Sequence, residues 1–166
     1  MLADHSNLPK HNPNATVLSI IDWNSLDSTV TKIIIDNGVS EPDLTELDLT
    51  RFSQLKRLEI GDHCFSYVNE LKLIGMNELE CVVIGSNSFT KHKNGYGQDA
   101  NRHFHLKNCP KLNSLKMGCY SFSDYRVCEI ENVNALEVIE IGELHGRGYS
   151  FYYASLELKS IQEESD

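Results

Sequence analysis

Leu79-Glu80-Cys81-Val82-Val83-Ile84-Gly85-Ser86-Asn87-Ser88-Phe89 sets out a plan that the chain repeats. The plan is an apolar residue, two variable positions, an apolar residue, one variable, an apolar residue and glycine. Its other copies are Leu55-x-x-Leu58-x-Ile60-Gly61, Leu112-x-x-Leu115-x-Met117-Gly118 and Leu136-x-x-Ile139-x-Ile141-Gly142. Four residues beyond the glycine, the first three copies place Phe65, Phe89 and Phe122. Successive copies start 24, 33 and 24 residues apart, so the period is 24 with one inserted segment. A worn earlier copy reads Val30-x-x-Ile33-x-Ile35, with Asp36 where the glycine would be. A fixed period of this size predicts a solenoid, whose units bury their apolar faces only by stacking on their neighbours.

A second phrase, apolar-x-apolar-x-x-apolar, interleaves with the first. It reads Leu47-x-Leu49-x-x-Phe52, Leu71-x-Leu73-x-x-Met76, Phe104-x-Leu106-x-x-Cys109, Cys128-x-Ile130-x-x-Val133 and Leu156-x-Leu158-x-x-Ile161. From its first residue to the second apolar residue of the glycine phrase is always 11 positions, as from Leu71 to Val82. Both phrases alternate with period two, the pattern of a short strand with one buried face. Each unit is therefore expected to carry two strands, stacked into two parallel ladders. No segment of helical length shows apolar residues at i, i+3, i+4 and i+7.

The glycines follow strands, where a corner needs either positive φ or close approach of two chain segments. The phenylalanines are expected to stack as an internal spine. Residues 1–14 read as an N-terminal arm, and residues 15–161 as one repeat domain with an irregular cap over 15–29, since terminal repeats are usually atypical. The insertion covers about 90–101, with Asn94-Gly95 and Gly97 as turn signals, and a smaller one lies near 144–150. Residues 162–166 read as an acidic tail suited to blunting an open sheet edge.

Bulk properties exclude several classes. The 166 residues are 40% hydrophobic, enough for a packed core. A net charge of −9 argues against binding driven by neutralising nucleic-acid phosphates. The five cysteines form no C-x-x-C pair, which suits a reducing compartment, and the localisation expected is cytoplasmic. No apolar run reaches the roughly 18 residues of a membrane span, and the polar N-terminus lacks the apolar core of a signal peptide.

Units of 24 residues patterned L-x-x-L-x-I-G-x-x-x-F resemble leucine-rich repeats. The likeness is to the short-period class of the bacterial surface-antigen type, also abundant in protists, and covers residues 30–161. It implies a curved solenoid whose exposed ladder residues bind other macromolecules without chemistry of their own. The chain lacks the asparagine ladder and the helix-length convex side of longer repeats, with Asn108 and Cys109 the only trace of the asparagine/cysteine position. The expected fold is a leucine-rich-repeat-like solenoid: a strand-rich right-handed coil with two short parallel strands per unit and little helix.

Few residues carry chemistry. His103 and His105 alternate on one strand beside His92, but a metal site needs three or four convergent ligands. Lys91, His92, Lys93, Arg102, His103 and Lys107 form a basic stretch that reads either as an acidic-partner contact or as a solvated loop. The outward glutamates Glu59, Glu129, Glu131, Glu137, Glu140 and Glu157 have no defined pairing of the kind glycoside hydrolysis needs. No nucleophile-elbow, P-loop or zinc-protease signature occurs, so neither an enzyme nor a cofactor is expected.

The variable positions of the glycine phrase give two outward rows: Lys32, Arg57, Cys81, Ser114, Val138, and Ile34, Glu59, Val83, Lys116, Glu140. Cys81 and Val83 form an apolar pair at mid-array, either a docking surface or ground covered by the insertion around Tyr96. The function expected is a non-enzymatic protein-interaction or scaffold module. Its partner-binding residues are Arg57, Glu59, Cys81, Val83 and Lys116, with Tyr96 and His103 at the rim. The partner is expected to be a protein, not nucleic acid or membrane, and a subunit of a larger assembly is the role such a partner would give the chain. The alternative is a parallel β-helix that binds or acts on polysaccharide, with Tyr149, Phe151, Tyr152 and Tyr153 near one end as its aromatic platform.

Overall fold

The period-two segments become strands in a computed structural model, which describes residues 14–17, 20–91, 99–142, 149–151 and 154–159. The glycine phrase supplies β2 (Lys32–Ile35), β4 (Arg57–Ile60), β6 (Cys81–Ile84), β8 (Ser114–Met117) and β10 (Val138–Ile141). The second phrase supplies β3 (Glu46–Asp48), β5 (Glu70–Ile74), β7 (His103–Lys107), β9 (Val127–Glu131) and β11 (Ser155–Lys159). Together with β1 (Asn14–Val17), the glycine-phrase strands form a first sheet in the order β1-β2-β4-β6-β8-β10, and the others form a second, β3-β5-β7-β9-β11. Every pairing is parallel. The one helix among the described residues, α1, spans only Ile20–Ser25, and no helix among them is long and apolar enough to cross a membrane.

Register follows the repeat. Leu58 faces Val82, Leu115 faces Ile139, and the step across the insertion from Val82 to Leu115 is the 33 residues counted in the sequence. The second sheet makes the same steps, Leu71 to Phe104 to Cys128. Alternate residues of each strand from β2 to β9 are buried, and those of both sheets join one hydrophobic core. The sheets thus pack through the core, with their variable positions facing out.

Between an even strand and the next odd one, the chain builds a corner. Phe65, Phe89 and Phe122 stack in a column, with centroids 5.4 Å and 4.7 Å apart. Phe151 extends the column at 4.9 Å from Phe122, a fourth member that the smaller insertion displaces from the regular count. All four adopt left-handed backbone, with φ between 52° and 56°. The residue before each phenylalanine carries a small donor. Cys64, Ser88, Ser121 and Ser150 donate to the carbonyls of Asp36, Gly61, Gly85 and Gly118, one unit back. Close approach, not positive φ, accounts for Gly61, Gly85 and Gly118, whereas Gly142, at the fourth corner, sits at φ 78°. A Cβ on Gly85 would lie 2.5 Å from the backbone of Gly61, and one on Gly118 2.5 Å from the Ser86 nitrogen.

The two ends differ. At the start, β1 pairs with β2, and Trp23 of α1 is buried edge-on against Phe52, with the Arg51 guanidinium over both rings. The cap expected from residue 15 therefore contains a strand beginning at Asn14. At the far end the core row is open. Ile139 and Ile141 are 45% and 46% exposed, although their register neighbours Leu115 and Met117 are buried. Residues 1–13, most of the insertion, and 160–166 with the acidic tail at 162–166 lie outside the described residues.

Candidate functional site on the outer face of the first sheet

The two outward rows expected from the sequence appear in register. Lys32, Arg57, Cys81, Ser114 and Val138 form one, and Ile34, Glu59, Val83, Lys116 and Glu140 the other. Period-two alternation puts these side chains outside because Ile33, Leu58, Val82 and Leu115 fill the core.

Charge organises one side of this face. Glu59 takes Arg57 Nε at 2.5 Å and Lys32 Nζ at 3.0 Å. The hydrogen bond from Arg57, then that from Lys32, holds the Glu59 carboxyl below the usual range, and Glu59 in turn raises the Arg57 guanidinium. Arg57 also donates to Cys81 Sγ at 3.4 Å. On the other side, Lys116 reaches Glu140 at 3.0 Å. Cys81 and Val83 lie between these ion pairs, half-buried. The structure thus brings Arg57, Glu59, Cys81, Val83 and Lys116 onto three adjacent strands. Tyr96 lies outside the described residues.

His103 does not border this group. It begins β7 in the second sheet, on the other side of the core, where its Nε2 donates to Ala100 O at 2.8 Å. Its register through Phe104 fixes that position, so its place at the rim is corrected. The outer face of the second sheet is a ladder of paired charges. Lys72 reaches Glu46 at 2.7 Å and Glu70 at 3.2 Å, while His105 lies between Glu70 at 3.4 Å and Glu129 at 2.7 Å. Lys107 meets Glu129 at 2.8 Å, and its hydrogen bond lowers the Glu129 carboxyl's affinity for protons. Exposed pairs of this sort contribute at most about 1 kcal/mol each. Among the described residues no group of three or more histidine, cysteine or acidic side chains is placed to hold a metal ion.

The basic stretch also disperses. Arg102 is 1% exposed, the largest fully buried side chain among the described residues. Its guanidinium meets Asp124 at 3.2 Å, donates to the carbonyls of Ser66, Val68 and Phe89, and lies over the Tyr125 ring. Tyr125 donates to Val68 O at 2.6 Å, and burial raises its phenol pKa above the ordinary value. A guanidinium carries enough donors to satisfy several carbonyls where the insertion interrupts the repeat. Arg102 and Asp124 are thus structural, and only their nearness to the break in period hinted at it. Compared with family models, curated proteins and solved structures, the chain matches none.

Proposed function

We propose that the chain is a short right-handed solenoid of the leucine-rich-repeat type that acts as a non-enzymatic scaffold for binding another protein. The observation that carries this reading is the outer face of the first sheet. There a half-buried apolar pair, Cys81 and Val83, lies between the Lys32–Glu59–Arg57 cluster and the Lys116–Glu140 pair. An apolar centre with a charged border is the composition of a protein–protein contact. The in-register ladder supports it, because a rigid frame presents its side chains without ordering them on contact. The cysteines, all free, fit a reducing, cytoplasmic setting.

The test compares wild type with Val83→Glu, immobilised and incubated with extract of the native source. Wild type is expected to retain a partner that the variant loses while both melt alike by circular dichroism. Equal recovery rejects the face as the contact. The polysaccharide reading has less support, because Phe151 is committed to the phenylalanine column and Tyr149 leans on Tyr120 at 5.2 Å. Specific oligosaccharide binding on a glycan array would restore it.

A further inference from the structure

We propose that Arg102 and Asp124 are positioning residues for the outer face of the first sheet. Their buried contacts fix one register across the long break in the repeat, and so place Lys116 beside Val83. This does not rest on the protein-binding reading, because the register exists whether or not the face has a partner.

A regular corner leaves no slack. From Phe65 to Glu70, and from Phe122 to Val127, the chain takes five steps. From Phe89 to His103, which holds the same register position, it takes fourteen, nine more than the repeat requires. A one-residue slip turns the faces of a strand over, but a two-residue slip keeps every apolar residue inward. Nine spare residues permit such a slip. Met117 would then face Val82, and Lys116 would face Cys81 in place of Val83.

At this break the chain buries a cation. Arg102 stands immediately before β7 and is 1% exposed, whereas Asn69 and Arg126, at the same place in the neighbouring units, are half-buried and exposed. Its guanidinium donates to Ser66 O and Val68 O at 3.0 Å, to Phe89 O at 3.1 Å and to the Asp124 carboxylate at 3.2 Å. The same Asp124 oxygen accepts from Lys91 N at 3.1 Å, so one carboxylate holds both ends of the insertion. Tyr125 donates to Val68 O, 57 positions earlier. Ser66, Val68, Phe89 and Lys91 lie before the break, and Arg102, Asp124 and Tyr125 after it. A shift of two residues, about 6.6 Å along the strands, would part every one of these bonds except the ion pair itself. A buried ion pair is weak evidence for stability, since desolvation offsets the attraction, and its best-attested use is to specify one register.

Cross-linking reads the register. With Cys119→Ser throughout, Cys81 is offered Ser114→Cys in one chain and Lys116→Cys in another, and the links formed on oxidation are mapped by mass spectrometry. Opposed residues lie about 4.8 Å apart and a two-residue offset about 8 Å, beyond the roughly 7 Å that a disulfide spans. With Arg102 and Asp124 in place, position 114 is expected to link and position 116 is not. Arg102→Met with Asp124→Leu is expected to keep a cooperative urea transition yet to link position 116 in at least about 10% of molecules. Deleting residues 92–100 removes the spare length, and there the same double variant is expected to link position 114 alone. A double variant that folds only in the shortened chain, with position 114 linked, would support the proposal equally. Linkage of position 114 alone in the full-length double variant would overturn it, since the phenylalanine corner would then hold the register unaided. So would a link at position 116 that persists in the shortened chain, or a double variant that folds at neither length.

Discussion

Phe89→Ala removes the middle of the phenylalanine column. Phe89 is fully buried, with Phe65 at 5.4 Å on one side and Phe122 stacked at 4.7 Å and 4° on the other. Truncating such a ring costs about 3–5 kcal/mol from lost transfer free energy and the residual cavity. In a chain of this length that lowers the melting temperature by on the order of 10 °C. The backbone makes the prediction sharper. Phe89 sits at φ 56°, where any L side chain is strained by about 1–2 kcal/mol and glycine is not. Glycine ordinarily costs about 0.5–1 kcal/mol more than alanine in regular structure. At this corner the order reverses, and Phe89→Gly is expected to be no less stable than Phe89→Ala. Phe104 supplies the control, being equally buried but inside β7 without positive φ, so there the glycine variant is expected to be the weaker. Urea unfolding of the four variants measures both comparisons. A Phe89→Ala cost below about 1 kcal/mol would refute the column. A Phe89→Gly variant clearly weaker than Phe89→Ala would refute the left-handed corner.

Ser88→Ala deletes the part-buried donor to Gly61 O at 2.7 Å and the buried acceptor of Cys64 N at 3.1 Å, and is expected to cost about 1–3 kcal/mol in urea unfolding. Gly85→Ala drives a Cβ to 2.5 Å from the backbone of Gly61 and is expected to cost about 2–3 kcal/mol. Gly38→Ala, with open space but φ 77°, is expected to cost about 1–2 kcal/mol, so equal melting curves would contradict the close approach. Burial, with Glu129 adding to it, pushes the Cys128 thiol up to about 12 from 9.0. Its contribution is therefore complete below pH 9 and lost as pH rises toward 12, a decline of at most about 4 kcal/mol. Cys128→Val is expected to flatten the pH dependence of the urea midpoint by about one proton near pH 10, and an unchanged slope would contradict the burial of that thiol.

The two parallel sheets and their register were legible because two apolar phrases kept a constant offset, and a one-residue slip would turn Val82 and Val83 inside out. The phenylalanine column was legible for three members. Phe151 escaped because the smaller insertion moves it off the count, although the pair Ser150-Phe151 repeats Ser88-Phe89 and Ser121-Phe122. The row of small donors was visible in the same pairs but lay among positions treated as variable. Arg102 was misplaced because charged residues beside loops are usually solvated, and only the assembled corner shows three carbonyls converging on it. His103 was misplaced although its own phrase assigned it to the second sheet. Exposure of Ile139 and Ile141 was illegible for a different reason: periodicity marks a residue as core-facing but carries no record of what covers it.

Deleting residues 57–80 tests the repeat most directly. The cut removes β4 and β5, joins Lys56 to Cys81, and leaves every later residue displaced by the period of 24. A stacked solenoid accommodates this, with β2 pairing to β6 and β3 to β7, because each unit contacts chiefly its neighbours. Deleting 57–79 instead breaks phase by one residue and turns the core rows outward at the junction. The expected result is a cooperative urea transition for the 24-residue deletion, less stable than wild type but folded, and none for the 23-residue deletion. Equal loss of folding in both would contradict the repeat as the unit from which this protein is built.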